Sequence, residues 1–79
     1  MKSFHAFLVR VQNTMRLSLS DLRTGTVYKV VANAGYFSKL LTLESVRDGL
    51  YTFRSTAHSA THIVTRYDIE DGHVQMYAL

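Results

Sequence analysis

Two Asp-Gly pairs, Asp48-Gly49 and Asp71-Gly72, each stand between runs of β-branched and aromatic residues. A two-residue hairpin turn needs positive φ at both central positions, and Asp-Gly meets that need at low steric cost. Each pair therefore predicts a reversal between two extended segments. The first joins residues 39–47 to Leu50–Ser55, and the second joins 61–69 to 73–79.

Alternation supports the arms of both turns. Tyr51, Phe53 and Ser55 alternate with Thr52 and Arg54; Ile63, Thr65 and Tyr67 alternate with His62, Val64 and Arg66. Val74 and Met76 then alternate with His73, Gln75 and Tyr77. A period of two is the mark of a half-buried strand. Residues 26–33 form another, with Tyr28, Val30 and Ala32 on one face and Val27, Lys29 and Val31 on the other. Thr24-Gly25 opens it, Asn33-Ala34-Gly35 ends it, and Ser20-Asp21-Leu22 before it reads as one helical turn capped by Ser20.

Two stretches carry both periods. Phe37, Leu40, Leu41 and Glu44 fall at helical spacing, yet the strand that follows Asp48-Gly49 favours an extended partner. Near the start, Phe4, Phe7, Leu8 and Val11 fit a helix, whereas Phe7, Val9 and Val11 fit a strand. Residues 1–14 are thus an N-terminal strand, helix or arm; Met15, Leu17 and Leu19 alternate as a strand does.

The chain has 79 residues and no proline, which is one small domain over 1–79. Five or six short strands in that length predict a mainly β fold: a small antiparallel barrel or curved sheet, SH3-like or OB-like. The alternative is an α+β arrangement with one helix packed on a small antiparallel sheet. With 47% hydrophobic and 19% charged residues, the chain has material for a core and is not of disordered type. Surplus apolar surface on so small a body suits self-association, so a homodimer is among the expectations.

The lack of cysteine excludes disulfides and thiolate metal sites, and it suits a reducing, cytoplasmic setting. Arg10 interrupts the only N-terminal apolar run, so neither a membrane span nor a signal peptide is expected. The net charge of +3 is unevenly spread. Residues 1–43 carry six cations against one carboxylate, and 44–79 carry three against five. A basic half like this suits an acidic partner as readily as it suits solvated strand faces.

Motifs for chemistry are weak. His58, His62 and His73 have neither the spacing nor the companions of a zinc site, and no His-Glu-x-x-His pattern exists. Ser55, Thr56, Ser59 and Thr61 lie near His58, but without a Gly-x-Ser-x-Gly elbow they describe an ordinary polar loop. Asp68, Glu70 and Asp71 flank a turn, where acidic residues serve backbone geometry. No phosphate loop is present; no cofactor, metal or catalytic residue is assigned, and an enzyme is not expected.

Binding remains. The expectation is a non-catalytic binding or regulatory module acting through a protein partner, in an accessory or inhibitory role. Tyr36, Phe37 and Lys39, placed after Gly35 in an expected loop, are the candidate contact residues. On that basis Phe37→Asp would weaken partner binding and leave melting unchanged. The alternative is nucleic-acid binding by the basic half, with Arg10, Arg16, Arg23, Lys29 and Lys39 on phosphates. Most aromatics here are expected in the core, because neighbours along a strand point to opposite faces. The strand ending in Leu79 is expected at a sheet edge.

Overall fold

The computed structural model describes residues 16–57 and 59–79. Residues 1–15, including Arg10, and His58 lie outside the described part. Five strands form one antiparallel sheet: β1 (Val27–Ala32), β2 (Phe37–Arg47), β3 (Leu50–Ser55), β4 (Thr61–Thr65) and β5 (Val74–Tyr77). Their spatial order is β4-β3-β2-β1-β5, a four-strand meander with the last strand swung back beside the first. The sheet is not closed, so the mainly β expectation holds in its curved-sheet form. One short helix, α1 (Arg66–Glu70), lies between β4 and β5.

Asp48-Gly49 makes the expected hairpin. Asp48 has φ 53° and Gly49 φ 75°, the positive pair that this turn requires. The register then sets Arg47 opposite Leu50 and Val46 opposite Tyr51, with a bulge between Leu43 and Ser45. Phe37–Arg47 is strand throughout, as the following segment implied.

Asp71-Gly72 does something else, and the expected second hairpin is corrected. Residues 66–70 leave the extended conformation as α1, and β5 pairs with β1 rather than with β4. The cause is local. Thr65 caps the helix, its Oγ1 accepting from the Asp68 N–H at 3.1 Å, and Arg66 pairs with Glu70 one turn on at 3.2 Å. Ile69 turns into the core, which a strand of the same residues would not achieve with Val64 also inside. Gly72, at φ 80°, sits just past the helix end, where its N–H donates to the Ile69 carbonyl at 3.2 Å.

The helical turn before β1 is Leu19–Asp21, two residues earlier in its cap than expected. Ser18, not Ser20, is the capping residue: its N–H and its hydroxyl both donate to the Asp21 carboxylate, at 2.9 and 3.0 Å. Those two bonds from Ser18, the backbone one first, hold the Asp21 carboxyl below its ordinary value, with the Arg23 charge adding to them.

The core collects one face of every strand. Tyr28 and Val30 come from β1, Leu41 and Leu43 from β2, Tyr51 and Phe53 from β3, Val64 from β4 and Met76 from β5. Leu22 and Ile69 close its ends. The buried Tyr28 keeps its hydroxyl satisfied by accepting from the Arg23 N–H at 2.7 Å. Before β1, Arg16 bridges to Tyr77, and the Leu17 N–H donates to the Met76 carbonyl at 2.8 Å. The outer side of β5 is therefore partly met by the chain's own residues, and among the described residues β4 is the bare edge.

Candidate functional site

Asn33, Ala34 and Gly35 all have positive φ, at 54°, 55° and 96°. For alanine this left-handed conformation costs roughly 1–2 kcal/mol, and an isolated strain of this kind is most often found where a chain presents something. What this turn presents is Tyr36, whose side chain is 94% exposed. Phe37, next along, points inward and is half-buried against the core. Its ring meets the His62 imidazole edge-on, with centroids 5.3 Å apart. The Lys39 ammonium lies 5.4 Å from the centre of the same ring. Lys39 shares the inner side of β2 with Phe37, since Ala32 pairs with Phe37 and Val30 with Lys39. Of the three residues singled out from sequence, Phe37 and Lys39 thus lie together and Phe37 ties them to β4, while Tyr36 stands in solvent at the turn before them.

Below that corner is a hollow of about 160 Å³ between β4 and β5, lined mainly by Val30, Phe37, Leu41, His62, Val64 and Val74. His62 brings the one discordant group. Its Nε2 is buried and has no hydrogen-bond partner among the described residues. A buried unpaired polar atom costs about 1–3 kcal/mol, so an apolar replacement of similar size should be stabilising. His62→Leu is accordingly expected to raise the melting temperature by roughly 4–8 °C, the shift that about 1 kcal/mol produces in a domain this small. A thermal melt followed by circular dichroism measures it, and a fall would mean the nitrogen is satisfied in solution. Sequence missed His62 because it is 25 positions from Phe37; only the pairing of β4 with β3 brings the two together.

A larger cleft of about 480 Å³ lies between residues 16–20 and Ile69-Glu70. Its hydroxyls are spent within the chain, Ser18 and Ser20 lying 3.0 Å apart and Ser18 also bonded to Asp21.

The basic residues do not gather. Lys29 is opposite Leu40 on the outer face of the sheet, whereas Lys39 is on the inner side. Arg23 spends its guanidinium on the Ser20 and Leu22 carbonyls, at 2.9 and 3.1 Å. Arg10 is outside the described residues. What does align is a short row on the outer face: Arg16 and Lys29 are both paired with Tyr77, one on each side. Arg16 also reaches over Gly72, where its Nη1 is only 2.8 Å from the position a Cβ would take. Of the remaining charges, Arg54 pairs with Glu44 at 2.6 Å on the exposed face of β2 and β3.

Among the described residues no three histidine or acidic side chains converge in a way that would hold a metal ion. His73 lies 3.9 Å from Asp68 beside α1, and His58 lies outside the described part. No described helix is long and apolar enough to cross a membrane. No protein-family model, curated protein or solved structure matches the chain.

Proposed function

We propose that the chain is a non-catalytic binding module that docks a protein partner on the Tyr36–Phe37–Lys39 corner. One observation carries this: a tyrosine almost wholly in solvent, projected by a turn whose backbone is strained and followed in the chain by a phenylalanine that lines an apolar hollow. A monomeric domain gains nothing in stability from such an aromatic, while partners gain much from one, since tyrosines offer large contact area at little entropic cost. The Lys39 charge over the Phe37 ring adds a cation to the rim, which suits a partner with a carboxylate beside an apolar side chain. The hollow is too small for a drug-sized ligand, but it matches a single apolar side chain.

The test is Tyr36→Ser. Partner capture from the native host, on immobilised protein, should fall at least about tenfold, the loss of a hot-spot aromatic. The melting temperature should stay within about 2 °C, as for surface changes generally. Undiminished capture by the folded variant would refute the assignment.

Nucleic acid is the second reading, and it rests on the Arg16–Tyr77–Lys29 row, in which a tyrosine is paired across the sheet with a basic residue on each side. Two cations neutralise about two phosphates, so affinity would be weak and only shallowly dependent on salt.

A further inference from the structure

We propose that two copies of this chain join edge to edge through β4, about a two-fold axis at Ile63. The interface adjoins the hollow, which Ile63 also lines, but it does not include Tyr36 and does not rest on the docking proposal.

The hydrogen-bond pattern shows which groups are on offer. The Ser55 N–H donates to the Ala60 carbonyl at 3.0 Å, and the Arg66 N–H to the Gly49 carbonyl at 2.8 Å. Both fit the register that pairs Arg54 with Thr61 and Leu50 with Thr65. In an antiparallel ladder, bonded and non-bonded positions alternate, so residues 60, 62, 64 and 66 face β3. Thr61, Ile63 and Thr65 turn their N–H and C=O groups away from it, toward the bare edge. Among the described residues no strand pairs with that edge.

The edge carries none of the usual protection. From Thr61 to Thr65 it has no charged residue, no proline and no bulge, and Ile63 is 65% exposed. It is also symmetric in kind: the order is Thr-His-Ile-Val-Thr. An antiparallel second copy centred on Ile63 sets isoleucine on isoleucine and threonine on threonine, the like pairs that stabilise one face of a sheet. The Ile63 N–H and C=O are exchanged across the axis, and each Thr65 N–H meets the Thr61 carbonyl of the second copy. The same register sets Arg66 opposite Ala60 of the second copy, so the two arginines lie at opposite ends and do not repel.

A second copy is favoured over an open chain of copies by the state of β5. Head-to-tail addition would need the outer side of β5, and there the Leu17 N–H already bonds the Met76 carbonyl. With one edge taken and the other free among the described residues, addition stops at two, which is a closed isologous dimer.

The chain has no cysteine, so a single engineered thiol reports cleanly. Residues on the axis of a bonded antiparallel pair have Cα atoms about 5.5 Å apart, within disulfide range. Under mild oxidation Ile63→Cys is expected to give a cross-linked dimer in high yield, and Leu40→Cys, exposed on β2, is expected not to. Sedimentation of the unmodified protein over roughly 1 μM to 1 mM, the range for so small an interface, should show the mass rising from 9.0 kDa toward twice that value. Ile63→Lys should remain at the monomer mass with an unchanged circular dichroism spectrum, while Tyr36→Ser should dimerise normally. A monomer at every concentration, whatever then covers the edge, or a dimer that survives Ile63→Lys, would overturn the proposal.

Discussion

Phe53→Ala is expected to leave the protein at or beyond the limit of folding. Phe53 is the largest fully buried side chain among the described residues, 0% exposed, on β3, one of the two inner strands of the meander. It stands opposite Leu43 on one side and His62 on the other, so its loss opens a void that both neighbouring strands border. Truncating a buried phenylalanine costs about 3–5 kcal/mol, the transfer term plus the residual cavity. A chain of this length holds only roughly 4–12 kcal/mol in total, at the usual scale per residue. The variant should therefore melt at least about 12 °C lower, at about 4 °C for each kcal/mol. Thr52→Ala is the control. Thr52 is adjacent in sequence but stands on the outer face, so its removal should change stability by no more than about 0.5 kcal/mol. A drop of less than about 5 °C for Phe53→Ala would mean that the sheet does not close around this ring.

Phe53 was readable in advance because a period of two in 50–55 assigns inside and outside without any knowledge of the partner strands. The same holds for Tyr28 and Val30 in β1. The Asp48-Gly49 turn was readable because both arms of its hairpin are local. Asp71-Gly72 shows where that logic ends. An aspartate followed by a glycine that tolerates positive φ suits a hairpin, and it suits a helix terminus equally well. The difference lay upstream, beginning six residues before Asp71, in Thr65-Arg66-Tyr67-Asp68, a helix start of the form Thr-x-x-Asp. Alternation carried through 61–69 masked it, since Ile63, Thr65 and Tyr67 continue the strand pattern into the first turn of the helix. The pairing of β5 with β1 had no local signal at all. It follows from α1 carrying the chain across the seam, and it depends on tertiary packing rather than on any residue near position 74. For the candidate site, the exposure of Tyr36 could be inferred from the glycine before it. The contact of Phe37 with His62 could not, because it joins the ends of two strands that are not neighbours in the sheet.

That contact changes what Phe37→Asp should do. Read from sequence, Phe37 sits in a loop and its replacement spares the fold; in the structure it begins β2, packs on the core and closes the hollow under which His62 lies. Aspartate there removes a half-buried ring and sets a carboxylate among Val30, Leu41 and Val74. The lost packing and the unpaired charge together cost roughly 2–4 kcal/mol, so the melting temperature should fall by about 8 °C or more. The lysine above it, at Lys39, tempers the charge but remains in solvent, where a pair contributes less than about 1 kcal/mol. Partner capture should be lost as well, yet in this variant the loss has two causes, a missing contact and a loosened seam. Tyr36→Ser has only the first. The pair of variants separates a residue that recognises from a residue that supports recognition: both lose the partner, and only one loses stability. Equal melting temperatures for Phe37→Asp and the unmodified protein would place Phe37 in solvent, and the corner would then be a loop of two free aromatics rather than a surface fastened to β4.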